Sequence, residues 1–212
     1  MDKNQTEGPT DTAHGVVAPA LRGLARRLGI QRAEQRRGYR GLLGTYVLVN
    51  CVIAMVILTT AALLTNEPFI FPSLGATAFI LFFASMSVQA APKNVFCGQL
   101  IGLVCGVVGL VIFGLMGVAS DLDVTTWSRS GAVAVALGLS AAFMVWLNIP
   151  HAPAAATAMI VALGVIQTPL NLLVFMAAVV LLIGQAHVVN RLAGLPYPWW
   201  KPREDSVVTE KK

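Results

Sequence analysis

Apolar residues fill the middle of the chain in long blocks with short polar breaks, a pattern that predicts membrane-spanning helices. The first block, 41–64, reads GLLGTYVLVNCVIAMVILTTAALL, with Asn50 as its one strongly polar interior residue. At about 1.5 Å per residue it can cross a hydrocarbon core of about 30 Å with room to tilt. Further blocks predict helices over 93–118, about 129–147 and 169–190. Between them lie two stretches that are equally apolar but broken by proline, 65–87 with Pro68 and Pro72, and 148–165 with Pro150 and Pro153. Proline fits the first turn of a helix and disrupts its interior. Pro72 therefore predicts a helix running to about Met86, and Pro153 a short helix unable to cross a bilayer alone.

Charge sharpens this picture. Between Gly41 and Asn190 the charged residues are Glu67, Lys93, Asp121, Asp123 and Arg129, all between apolar runs. The net charge of +5 gathers at the termini, above all in Arg22, Arg26, Arg27, Arg32, Arg36, Arg37 and Arg40. A basic flank without interleaved aromatics fits the positive-inside bias better than nucleic-acid binding. It predicts three regions. Residues 1–38 form a basic cytoplasmic tail, with 1–18 disordered and 19–37 either an interfacial amphipathic helix or a solvated tail. Residues 39–191 form the transmembrane domain, and 192–212 a cytoplasmic tail opened by the anchor Tyr197, Trp199 and Trp200. Lys93, Arg191, Lys201 and Arg203 fall on the inside, and Glu67, Asp121 and Asp123 outside, if six segments cross. Arg129 is the exception, expected to snorkel outward from its helix end. No cleavable signal is visible, since the first apolar run starts after residue 40 and is long enough to span, and the expected location is a plasma membrane.

The two proline-broken stretches resemble each other. Ala76-Thr77-Ala78-Phe79-Ile80 matches Ala156-Thr157-Ala158-Met159-Ile160, and Pro92-Lys93-Asn94-Val95 resembles Pro169-Leu170-Asn171-Leu172. Each half then reads long helix, broken short helix, long helix: about 41–118 and about 129–190. The expected fold is an all-α polytopic bundle of about six segments in two inverted three-segment repeats. The alternative is a chance likeness of two Ala-rich helices. Broken helices at matching places in inverted halves mark transporter binding sites. Their N-termini carry unpaired N–H groups and partial positive charge, which suits a small anion. The candidate binding residues are Ser73, Gly75, Thr77, His151, Pro153 and Thr157. The hydroxyls would donate, Gly75 would let an ion approach the backbone, and His151 would bond the anion directly. His151 as a structural cap is the alternative. His187 reads as interfacial or structural.

Gly98, Gly102, Gly106 and Gly109 predict a close helix contact, within the chain or between copies in a homo-oligomer. Cys51, Cys97 and Cys105 lie in apolar runs without metal-ligand spacing and read as packing residues. No nucleophile set, phosphate loop or metal cluster is present, so neither an enzyme nor a cofactor is expected. The helices lack Asp and Glu, which disfavours a carboxylate proton relay.

At these residues the chain resembles the HPP family of integral membrane proteins, over about Gly38 to Arg191. The likeness rests on Pro72-Ser73-Leu74-Gly75-Ala76-Thr77-Ala78, on Pro92-Lys93-Asn94-Val95 with Gly98-Gln99-Leu100-Ile101-Gly102, and on His151-Ala152-Pro153-Ala154-Ala155-Ala156-Thr157-Ala158. The motif that names the family is His-Pro-Pro; here Ala152 stands in place of its first proline. The resemblance implies four spanning helices, or six segments if the broken ones are counted. A plant plastid branch is associated with nitrite transport, so the resemblance implies a small inorganic anion such as nitrite or nitrate. A non-transporting membrane scaffold or regulator is the alternative.

Overall fold

The computed structural model describes residues 31–121 and 126–202, with side chains described from Arg40 onward. The expectations for 1–30, for Asp123 and for 203–212 lie outside the described residues. Six α-helices appear among the described residues: α1 Gln31–Thr65, α2 Pro72–Phe83, α3 Pro92–Ile112, α4 Trp127–Trp146, α5 Pro153–Ala162 and α6 Pro169–Leu192. No strand occurs among the described residues. Four of these described helices are long and apolar enough to cross a membrane, within Arg40–Thr65, Pro92–Ile112, Trp127–Trp146 and Pro169–Leu192. The two shorter ones, α2 and α5, are those that Pro72 and Pro153 open.

Hydrogen bonds fix the direction of each helix. Tyr46 Oη donates to Asn190 Oδ1 at 2.7 Å, which puts the start of α1 beside the end of α6. The Lys93 N–H donates to the Trp200 carbonyl at 2.9 Å, adding the start of α3 to the same end. Arg40, Lys93, Arg191 and Lys201 thus share one end of the bundle, the basic end. α1 leaves it, and α2 returns toward it, since the Leu81 carbonyl accepts from Asn190 Nδ2 at 3.1 Å. α4 starts at the opposite end, where Ser120 Oγ in the preceding loop donates to the Leu163 carbonyl just past α5 at 3.0 Å. α5 starts at the basic end, with the Ala152 N–H donating to Gln89 Oε1 at 3.1 Å. The chain direction therefore alternates through all six helices.

The outer faces are apolar: Leu48, Val52 and Val56 on α1, and Leu173, Val180 and Val188 on α6, are exposed. Apolar residues outward and polar residues inward is the arrangement a bilayer requires. Inside, α3 is the central helix and packs most closely on α5 and α4. Its glycines account for this. A Cβ added at Gly106 would stand 2.5 Å from Val161 Cβ, and one at Gly102 would strike the Ala154 carbonyl. The predicted glycine strip is thus a contact within the chain: Gly98 meets His151 just ahead of α5, Gly102 and Gly106 meet α5, and Gly109 meets Ala132 of α4.

Several predicted ends shift. α3 stops at Ile112 rather than 118, because Gly114 adopts φ +64° and turns the chain, the Leu115 N–H reaching back to the Leu110 carbonyl. α2 stops at Phe83 rather than near Met86. α4 begins two residues earlier than predicted, at Trp127, because the Thr126 hydroxyl accepts from the Arg129 N–H and caps it. Arg129 departs most from expectation. It does not snorkel outward but is 9% exposed, with Nη2 at 3.2 Å from the Ala119 carbonyl and Nη1 at 3.5 Å from that of Ala162. The last carbonyls of α5 carry partial negative charge and draw the guanidinium inward.

Candidate functional site

The start of α5 is set by Pro153, buried in its first turn, and His151 just ahead of it is 1% exposed. The imidazole lies over α3 where Gly98 leaves room: a Cβ there would stand 2.7 Å from His151 Cβ. His151 Nδ1 is 3.0 Å from the Gln89 carbonyl oxygen. A carbonyl can only accept, so Nδ1 carries a hydrogen, and in the neutral ring Nε2 presents its lone pair to the interior.

That lone pair faces Gln99, a residue the site prediction did not include. Gln99 Nε2 donates to Thr77 Oγ1 at 2.8 Å and reaches His151 Nε2 at 3.3 Å. Gln99 Oε1 accepts from the Thr157 hydroxyl at 2.5 Å. Thr77 Oγ1 donates to the Ser73 carbonyl at 2.9 Å and lies 3.3 Å from His151 Nε2. The opposite orientation of the Gln99 amide would aim its carbonyl at the imidazole lone pair, so the network itself selects this one. Thr77, Gln99 and Thr157 are fully buried. Three helices, α2, α3 and α5, are thereby joined through uncharged groups in the interior of an apolar bundle.

The six predicted site residues fare differently. Thr77, His151 and Thr157 come together, Pro153 starts the helix that carries Thr157, and Ser73 joins through its carbonyl. The Ser73 hydroxyl is buried and has no hydrogen-bond partner among the described residues. Gly75 does not join them: it is exposed, and a Cβ added there meets nothing within 4 Å. Residues 73 and 77 share one face of α2 by their spacing of four, whereas residue 75 lies roughly opposite. The two short helices also meet differently from the expectation of facing N-termini. α5 brings its start, with the Ala154 N–H turned back to the His151 carbonyl at 3.0 Å, while α2 brings its second turn, at Thr77. Gln99 was legible as the only Gln, Asn, His or charged residue of α3 after its first turn, since a polar side chain inside an apolar run signals function or helix contact.

The family model of the HPP transmembrane region matches residues 34–198, which include every side chain of this cluster. The chain belongs to the HPP family of membrane proteins. No curated protein and no solved structure matches it. The variant motif of this HPP protein has a local explanation. Ala152, where the family motif has its first proline, has φ −51°, inside proline's range, and uses its N–H to bond Gln89 Oε1. Gln89 thus holds the His151 segment at two points, by its main-chain carbonyl and by its side chain.

His187, at the basic end, sets its ring 4.2 Å from that of Trp199, tilted by 41°. The three cysteines are free thiols, with Cys105 buried. Among the described residues no group of His, Cys, Asp or Glu is placed to hold a metal ion.

Proposed function

We propose that this HPP protein is a membrane carrier or channel for a small monovalent anion, nitrite or nitrate by preference, rather than an enzyme. The observation that carries the reading is the buried cluster of Thr77, Gln99, His151 and Thr157 where two interrupted helices meet α3. Buried polar side chains inside an apolar bundle are costly and mark ligand pathways by default. The cluster offers hydroxyl and amide donors without a fixed positive charge, which suits an ion that must leave as readily as it enters. The unpartnered Ser73 hydroxyl adds a donor one turn along α2.

The order long, short, long in each half, with α1 and α4 running in opposite directions, supports an inverted repeat and alternating access about the cluster. The clustering of Arg40, Lys93, Arg191 and Lys201 supports a cytoplasmic basic end, with both termini inside a bacterial plasma membrane. Assembly into a homo-oligomer belongs to the same reading.

Uptake of nitrite and nitrate into proteoliposomes tests it. The expected result is saturable flux that falls at least tenfold in His151→Ala and in Thr157→Val. Flux indifferent to both substitutions removes the site. A second reading has its own support: the hydrogen bonds of the cluster close on one another, as they would in a static fastening of a non-transporting scaffold. Vesicles that pass neither anion, with the wild-type fold intact, favour that reading.

A further inference from the structure

Beyond α6 the chain turns at Gly194, with φ +83°, and folds back across the basic end of the bundle. Tyr197 pins this strap. Its hydroxyl donates to the Ala90 carbonyl at 2.6 Å, and burial pushes the phenol above its ordinary pKa. Trp200 adds its carbonyl bond to Lys93 and a ring contact with Phe96. Between the strap and the end of α6 lies an open cavity of about 470 Å³, lined by Arg191, Leu195, Tyr197, Pro198 and Trp199 among others.

Arg191 is held in place at this cavity. Its guanidinium stacks 4.1 Å over the Trp199 ring, and Nη2 donates to the Tyr197 carbonyl at 3.1 Å. Both interactions orient the cation without neutralising it, since a ring face and a carbonyl carry no net charge. The rim is apolar and open where Trp199, 72% exposed, lines it beside Pro198. An anion that also offers hydrocarbon would fill the cavity and cover this rim, whereas a free inorganic anion would leave the rim bare. Lys93, Lys201 and Arg40 lie at the same end and add attraction for negative charge.

We infer that the strap cavity binds the phosphodiester headgroup of an anionic phospholipid, with Arg191 on the phosphate and Trp199 beside the glycerol and upper chain. This site lies apart from the Thr77–Gln99–His151 cluster and stands whether or not the protein transports an anion. Bound lipid would brace the strap, and through Tyr197 and Trp200 the start of α3.

The test is thermal unfolding of the full-length protein in neutral detergent, titrated separately with phosphatidylglycerol, phosphatidylcholine and inorganic phosphate. Phosphatidylglycerol should raise Tm by several degrees, with little effect of the other two. Arg191→Gln should abolish most of the rise and Arg191→Lys should keep part of it. An equal rise with phosphatidylcholine, an equal rise with phosphate alone, or a rise untouched by Arg191→Gln each overturns the inference. Because Arg191 also ties down the strap, a second measurement avoids substituting it. In a Trp127→Phe, Trp146→Phe background, chain-brominated phosphatidylglycerol should quench the remaining tryptophans more strongly than brominated phosphatidylcholine. Equal quenching speaks against the site. Lipid binding that appears only after Glu204→Gln with Asp205→Asn would give the cavity to the chain's own tail instead.

Discussion

Gly98 lies directly beneath His151, so close that a methyl group added at residue 98 would stand 2.7 Å from the histidine's Cβ. The obstacle there is the root of a side chain tied to the backbone, not a flexible tip. Gly98→Ala should therefore shift α5 away from α3 and destabilise the protein by about 1–3 kcal/mol. Thermal unfolding in detergent measures it. Gly75→Ala is the control, because open space surrounds that position. It should be neutral or stabilise by up to about 1 kcal/mol, because Gly is the poorer helix former. Equal losses at the two positions contradict the packing described for α3 and α5.

Gln99 is the one residue bonded to Thr77, His151 and Thr157 together. Gln99→Leu keeps the bulk and removes the bonds that cross α3, leaving the Thr77 and Thr157 hydroxyls the carbonyls of their own helices, Ser73 and Pro153, in a dry interior. Hydrogen bonds between membrane helices are worth about 0.6 kcal/mol on average and up to about 1.7. The loss of this set should thus cost about 1–3 kcal/mol, an unmade bond being dearer than the bond itself. Gln99→Glu, held neutral by its apolar surroundings, carries a single O–H and cannot donate to both the imidazole and Thr77. On the proposed anion pathway, Gln99→Glu and Gln99→Leu should both lower flux, since each removes donors from the cluster. Flux retained in the Glu variant would place the ion path elsewhere.

Ala152→Pro would rebuild the family's own motif. The backbone there already has a proline-like φ, and the change sacrifices one hydrogen bond to Gln89 Oε1 while restricting the unfolded chain. These opposing effects are each about 1 kcal/mol, so the net change in stability should stay within about 1 kcal/mol of zero. Gln89→Ala in the wild-type chain should then cost more than Gln89→Ala in the Ala152→Pro chain. A double-mutant cycle by thermal unfolding reads that difference. A cycle that closes to zero would mean the Gln89 side chain does not hold this turn.

Arg129 joins the start of α4 to the carbonyls of Val118 and Ala119 in the α3–α4 loop and of Ala162 in α5. Arg129→Gln cannot reach them all. It should destabilise by about 1.5–3 kcal/mol, the range for hydrogen bonds to a charged group. It should also open the α3–α4 loop to proteolysis, which gel analysis of protease-treated vesicles would detect. A loop as protected as in the wild type would show that Gln167, which donates to the Val118 carbonyl at 2.6 Å, holds it alone.

The chain alone determined the membrane character, the proline-started short helices and most of the helix bounds, because those follow from local hydropathy and from proline's missing N–H. The family was legible for the same reason, through short motifs at Pro72, Pro92 and His151. His151 and the two matching threonines were legible too, as polar side chains inside apolar runs. The partners those side chains take were not. Gln99 looked like one more polar residue in a glycine-rich helix until α5 was seen lying against Gly98 and Gly102. Gly75 looked like part of the site until the rotation of α2 turned it outward. Arg129 was read as reaching for water, but the carbonyls that hold it come from a loop about ten residues back and from α5, more than thirty residues ahead. Hydropathy and backbone propensity act over neighbouring residues and are written in sequence order. Helix rotation and the pairing of buried polar groups are decided by which surfaces meet, and only tertiary packing brings those surfaces together.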